Sequence, residues 1–238
     1  MKTTKIIMAG MALSCCSAAQ AQDMPSAGSC ELHIWPSDDH DGAQRGLLTG
    51  FGLIGAAADV SMHDGKNRTI KASLRDYLSP EAQIEELRAA DAARALGLPD
   101  YRIVVEQPIS SKEAAKADPS LKQRRDAMKA SLNGSGRLSD AAAPCYAELI
   151  GTRIYYQKDP IYGSQLYTGW TLRDFGRNGA TRPVVSKGQV KNSARDFPPK
   201  TPDMVAAAQS GLREAYRKGF LEWVQKKQDK PLSQTASR

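Results

Sequence analysis

The chain has 238 residues, 41% of them hydrophobic and 6% aromatic, which is lean but enough for one core and argues against wholesale disorder. No run of about 18 apolar residues occurs, which excludes a multi-span helical membrane protein. Lys and Arg outnumber Asp and Glu by 33 to 26, a formal charge of +7.

The first residues read as an export signal. Lys2 and Lys5 precede a short apolar stretch, Ile6 to Leu13, and Ala19-Gln20-Ala21 places small residues where a signal peptidase reads them, predicting a cut before Gln22. The apolar stretch is too short to be an anchor, because spanning a bilayer takes about 20 residues. A second processing site overlaps it. Leu13-Ser14-Cys15-Cys16 resembles a bacterial lipobox with Cys15 where Gly or Ala is usual, so the alternative to a periplasmic or secreted protein is an outer-membrane lipoprotein acylated on Cys16.

Cleavage after residue 21 removes two of the seven excess positive charges and leaves +5. It also removes Cys15 and Cys16, so that Cys30 and Cys145 remain as an even pair in an oxidising compartment, most simply one disulfide. Neither lies in a Cys-x-x-Cys motif. Closing a loop of about 115 residues stabilises by about 4–5 kcal/mol on a chain-entropy model.

Residues 22–227 are expected to form a single domain. Cys30 to Trp35 alternates as a strand, with Cys30, Leu32 and Ile34 on one side and Glu31, His33 and Trp35 on the other; Pro36 and the run Ser37-Asp38-Asp39-His40-Asp41-Gly42 then read as a turn. The Gly- and Ala-rich stretch 46–60 has no firm assignment, and Met62-His63-Asp64-Gly65 reads as a turn. Ser79-Pro80-Glu81 opens a helix carrying Ile84, Leu87, Ala90 and Leu96 on one side and ending at Gly97. Tyr101 to Gln107 is a β-branched strand closed by Pro108.

Asp118-Pro119 starts a helix with Leu121, Met128 and Leu132 inward, and Lys122, Arg124, Arg125 and Lys129 outward; Asn133-Gly134 ends it. The runs 145–157 and 163–175 form a long hairpin, and one more short strand is expected around Pro183 to Val190. Thr201-Pro202-Asp203 caps a last helix with Val205, Ala208, Leu212, Ala215, Gly219 or Phe220, and Trp223 on its apolar face. The tail 228–238 is polar and expected to be disordered. The predicted fold class is α+β or α/β, a mixed sheet with a long β-hairpin packed against about three helices, stapled by one disulfide.

Several stretches invite a chemical reading. Gly50-Phe51-Gly52-Leu53-Ile54-Gly55 has the spacing of a dinucleotide fingerprint, but no confident strand precedes it. It is expected instead to be an interaction segment, and no cofactor is predicted. All three histidines, His33, His40 and His63, lie near Asp38, Asp39, Asp41 and Asp64, a composition suited to a metal-dependent or hydrolytic site. No paired metal-ligand spacing accompanies them, and the bidentate position of a calcium loop starting at Ser37 falls on Leu48. No metal site is therefore predicted, and an Asp/Gly turn accounts for the cluster. Asp174-Phe175-Gly176 lacks every companion motif of a kinase.

The basic excess lacks the aromatic motif of an RNA reader, so nucleic acid is not the expected partner. An envelope protein, or an anionic lipid or polysaccharide surface, fits better. The last helix sets Arg213, Arg217, Lys218, Lys226 and Lys227 opposite its apolar face, either as a solvated face or as such a contact.

Cys30-Glu31-Leu32-His33-Ile34-Trp35-Pro36, Cys145-Tyr146-Ala147-Glu148-Leu149 and Asp174-Phe175-Gly176 resemble segments of uncharacterised exported proteins of alphaproteobacteria, about a tenth of the chain. The element order is similar to envelope accessory domains of the curli-secretion and Tol types, a likeness of topology that transfers no residue roles. The expectation is a non-enzymatic exported envelope protein with an assembly or accessory role, binding a partner or an anionic surface. The alternative is a periplasmic hydrolase or metal-dependent enzyme using His33, Asp38, Asp39, His40, His63 and Asp64.

Overall fold

The computed structural model describes residues 29–44, 52–161, 163–177 and 180–229, with the backbone alone over 52–64. Its strands are β1 (Cys30–Trp35), β2 (His40–Gln44), β3 (Tyr101–Val105), β4 (Tyr146–Asp159), β5 (Gly163–Asp174) and β6 (Val184–Ser193). Its helices are α1 (Gly52–Tyr77), α2 (Pro80–Ala89), α3 (Ala92–Ala95), α4 (Lys112–Ala117), α5 (Pro119–Leu132) and α6 (Val205–Gln228), the last entered through a 3-10 turn at Pro202–Met204.

One six-stranded mixed sheet runs in the order β3-β1-β4-β5-β6, with β2 also paired to β4. β1 and β2 lie one after the other along the same edge of β4, both parallel to it, at Glu31↔Tyr146 through Trp35↔Ile150 and then His40↔Ile154 through Gln44↔Lys158. The opposite edge of β4 takes β5 in the long hairpin. Cys30 and Cys145 are bridged with Cα atoms 4.6 Å apart, closing a sequence separation of 115 where β1 and β4 begin to pair. The α+β class, the hairpin, the first strand and the disulfide are thus as the sequence implied.

The helices α1, α2 and α6 cover one face. Leu32, Ile34, Ala147, Leu149, Trp170 and Leu172 enter one core cluster there with Leu74 and Leu87 of the helices. Trp170 is surrounded by Tyr216, Phe220 and Trp223 of α6, with ring centroids 5.6–5.8 Å away. Burying side chains of this size contributes about 1.5–3 kcal/mol each before entropy is counted. Glycine permits the close approach of helix to sheet: a Cβ on Gly188 would lie 2.6 Å from Trp223 Nε1, and one on Gly219 would lie 2.7 Å from Thr168 Oγ1.

The expected turn after Pro36 is a short irregularity, and β2 starts within it at His40. Buried side chains complete the hydrogen bonds of the interrupted backbone. Ser37 N–H donates to Gln83 Oε1 (2.9 Å), and Gln83 Nε2 donates to the carbonyls of Ser37 (2.7 Å) and Leu78 (2.9 Å). His40 Nε2 donates to the same Leu78 carbonyl at 2.8 Å. This tethers the strand break to the junction of α1 and α2.

Other expectations are corrected. Residues 62–65 are helical within α1, not a turn. The helix from Pro80 breaks at Ala90 and Asp91 before α3, and Gly97 (φ +80°) follows that helix. Ser79 and Asp118 cap α2 and α5 as predicted, each accepting first-turn N–H bonds. Val205 of α6 is exposed rather than apolar core, and Arg125 of α5 is turned inward, only 8% exposed. Among the described residues no helix is long and apolar enough to cross a membrane.

Candidate functional site

In a parallel pair, residues opposite one another point to the same face, so Glu31, His33 and Trp35 share the second face with Tyr146, Glu148 and Ile150. At this end of the sheet that face is also covered, and it holds charge. The His33 ring is 4% exposed. Its Nδ1 lies 2.6 Å from Glu106 Oε1 and its Nε2 2.9 Å from Glu31 Oε2. The ring thus bridges two carboxyl groups, one at each nitrogen. Arg102 of β3 donates to the other oxygen of Glu31 at 2.7 Å. Burial raises the Glu31 carboxyl, but the bonds from His33 and Arg102 outweigh it and hold it below its ordinary value.

Beside this triad, Glu148 and Arg173 face each other across the β4–β5 ladder, both fully buried and 2.5 Å apart. Leu138 N–H donates to the second oxygen of Glu148 at 2.6 Å. Arg173 Nη2 donates to the carbonyls of Gly134 (3.0 Å) and Gly136 (2.7 Å). Burial nonetheless pushes the Glu148 carboxyl up, against the pull of that N–H and of Arg173. Arg137 lies 4.5 Å over the Tyr146 ring and donates to the carbonyls of Ala141 and Ala143. Two arginines therefore fold residues 133–143 down over the polar end of the sheet.

One serine lies in this cluster. Ser139 Oγ is 2.8 Å from Tyr146 OH and 3.5 Å from His33 Nδ1. The same ring nitrogen already meets Glu106, whereas a serine–histidine–acid relay needs the serine and the acid on opposite nitrogens. The arrangement fits an ionic tie between β1, β3, β4, β5 and the loop, not an acyl-transfer site.

The sequence-adjacent His/Asp cluster is dispersed. His33 lies on the second face, while His40, paired with core residue Ile154, lies on the helix face. His40 is fully buried; burial lowers its pKa, although the bond to Leu78 opposes this, and its Nδ1 has no partner. Asp39 accepts from Arg125 at 2.7 Å, Asp38 faces Arg75 at 3.6 Å, and Asp41 accepts from Gly42 N–H. Among the described residues no group of three such side chains converges to hold a metal ion. The side chains of His63 and Asp64 lie outside the described residues. So do Gly50 and Phe51 and the side chains of Leu53 and Ile54; Gly52 to Gly55 form the first turn of α1. The export signal and Cys16 are outside them too.

The basic face of α6 is largely neutralised. Arg213 and Arg217 reach Glu86 of α2 at 2.8 and 3.0 Å, Arg213 also reaches Glu85, and Lys218 and Lys226 pair with Glu214 and Glu222. Sequence reasoning missed Glu106, Arg125, Ser139, Glu148 and Arg173. The signal available for Glu148 was a lone charge within the apolar run Tyr146–Ile150; Arg173, next to Asp174 at the end of β5, offered none.

No protein-family model matches the chain, and no curated protein matches it, so the resemblance to alphaproteobacterial exported proteins gains no support there. Among solved structures the chain is similar to a Xanthomonas campestris protein assigned to the family DUF330 (12% identity, 54% of this chain and 70% of that one, TM-score 0.24). It is also similar to a Neisseria meningitidis lipoprotein (11% identity, 78% of this chain and 96% of that one, TM-score 0.25). At these TM-scores neither carries an argument about what this chain does.

Removing one member of a buried ion pair strands the other, so Glu148→Leu or Arg173→Met alone should cost about 3–5 kcal/mol in urea unfolding. The double variant should cost clearly less than the sum of the two; strict additivity would contradict the coupling. Acidification should act through His40. Its folded pKa is below the ordinary 6.5, so its stabilising contribution is complete above pH 6.5 and is lost as pH falls through 6.5 toward the folded value. Comparing the wild type with His40→Gln, the stability difference should shrink between pH 7 and pH 5; a difference independent of pH would refute this. Asp39 and Glu31, both lowered, add a second loss below their ordinary values of 3.8 and 4.5.

Proposed function

We propose that the chain is a non-enzymatic exported envelope protein that acts by binding, in an assembly or accessory role, to a protein partner or an anionic surface. The observation that carries this reading is the commitment of the candidate catalytic groups to bonds within the fold. His33 is held between Glu31 and Glu106, His40 is tied to Leu78, and Asp39 to Arg125. Cys30 and Cys145 are spent in a disulfide, which suits an oxidising compartment. On this reading residues 22–227 act as one domain after a signal is cleaved.

The test is the intact mass of the protein taken from its own envelope fraction, followed by crosslinking in that fraction. A mass beginning at Gln22 and two hydrogens short supports a periplasmic or secreted, disulfide-closed domain. One beginning at an acylated Cys16 supports the same role on a membrane-tethered lipoprotein. A chain that retains Met1 and stays in the cytoplasm overturns export. Turnover of an ester or phosphoester substrate that is lost in His33→Gln, with folding intact, overturns the non-enzymatic reading.

A further inference from the structure

The ionic tie occupies only one end of the second sheet face. Beyond the irregularity between Gly151 and Arg153, the face presents ordered rows across β4, β5 and β6. Tyr155 lies opposite Tyr167, which lies opposite Lys191, and Arg153 lies opposite Gly169, which lies opposite Gln189; just before the irregularity, Thr171 lies opposite Lys187. The two tyrosine rings are 5.7 Å apart, both half-buried, and the Arg153 guanidinium stands 4.9 Å over the Tyr155 ring.

A groove of about 700 Å³ opens on this face, bordered by the end of α5. Its lining includes Lys129, Arg153 and Lys187, with Thr152, Asn133 and Gln189 as neutral hydrogen-bonding groups, and no acidic side chain among the described residues. Gly169 leaves the floor without a side chain. This contrasts with α6, whose cations Arg213, Arg217, Lys218 and Lys226 meet carboxylates of the same chain.

We infer that this open half of the sheet, the Tyr155–Tyr167 pair flanked by Arg153, Lys187, Lys191 and Lys129, is a binding surface for an acidic polysaccharide. The inference deepens the binding reading above and rests on it. A sugar ring has an apolar C–H face and a rim of hydroxyls. Two adjacent aromatic rings take the first, and the amide and hydroxyl groups of Gln189, Asn133 and Thr152 take the second. Carboxylates along an acidic glycan meet cations contributed by three different elements, α5, β4 and β6. A bilayer surface is less suited, because the cations and neutral polar groups line a groove beside the rings rather than flank a convex apolar edge.

The test measures binding of the disulfide-closed domain to polygalacturonate, with neutral dextran and phosphatidylglycerol vesicles alongside. Polygalacturonate should bind, more weakly as salt rises, and dextran should not. Tyr155→Ala/Tyr167→Ala and Arg153→Glu/Lys187→Glu should each weaken binding about tenfold or more. Lys218→Glu/Lys226→Glu, an equal charge change on α6, should leave it within about twofold. Far-ultraviolet circular dichroism and the unfolding midpoint check that each variant is folded.

Equal weakening by the α6 variant, or no effect of the tyrosine variant, would reduce the interaction to unspecific attraction and overturn the proposal. Binding to vesicles but not to the glycan would assign the face to a membrane instead. Self-association abolished by the face variants would assign it to a second copy. Failure to bind polygalacturonate while an envelope protein is crosslinked would defeat this inference and leave the binding role standing, whereas a cytoplasmic chain with Met1 would defeat the role itself.

Discussion

Every strand except the two at the sheet's edges is held by β4. One edge of β4 takes β1 and then β2 in parallel, and the other takes the whole of β5. Parallel neighbours so far apart in sequence need loop closure to be offset by something, and the Cys30–Cys145 bridge does this where the β1–β4 ladder begins. The helix core forms on one side of this ladder, where Leu32, Ile34, Ala147 and Leu149 meet α1, α2 and α6. The ionic tie forms on the other, where Glu31, His33, Tyr146 and Glu148 are neighbours by the same register.

The second face is consequently divided along its length. At the disulfide end, charges are buried in pairs and sealed by the 133–143 segment, with each oxygen of Glu148 hydrogen-bonded and Arg173 spread over Glu148 and two carbonyls. Apart from Arg173 Nε, which has no partner, these buried groups are hydrogen-bonded; such charges specify a geometry and are costly to separate, which suits a structural role. Toward the hairpin end the face carries the Tyr155–Tyr167 pair, beside a groove lined by Lys129, Arg153 and Lys187. On the binding proposal above, this division would let a ligand dock at the hairpin end without loosening the elements that hold the sheet together.

Much of the fold was legible because local signals agreed with it. Alternation marked Cys30 to Trp35, Ser79-Pro80 and Asp118-Pro119 announced their helices, and the two apolar runs announced the hairpin. The stretch from His40 to Gly65 misled because Asp and Gly favour turns locally, whereas pairing of β2 to β4 and continuation of α1 are tertiary effects. The buried ion pair was hidden for a different reason. Counted from the tip, where Asp159 pairs with Gly163, Glu148 would oppose Asp174; the irregularity between Gly151 and Arg153 shifts the ladder by one residue and places it opposite Arg173. Nothing in the composition of that segment announces the shift. Likewise the His/Asp cluster looked contiguous in sequence, yet the break after Pro36 sends His33 and His40 to opposite faces.

Site-resolved amide hydrogen exchange of the oxidised domain tests the division most directly, because active-site loops belong to the low-stability end of a structure and structural ties to the high end. Amides of residues 146–150 and 171–173 should exchange only through global unfolding, and Leu138, bonded to Glu148, should be protected with them. Residues 184–193 of the edge strand β6 should exchange sooner. Opening of residues 133–150 well below the global unfolding free energy, with β5 and β6 still protected, would contradict it and return the His33 cluster to consideration as a working site.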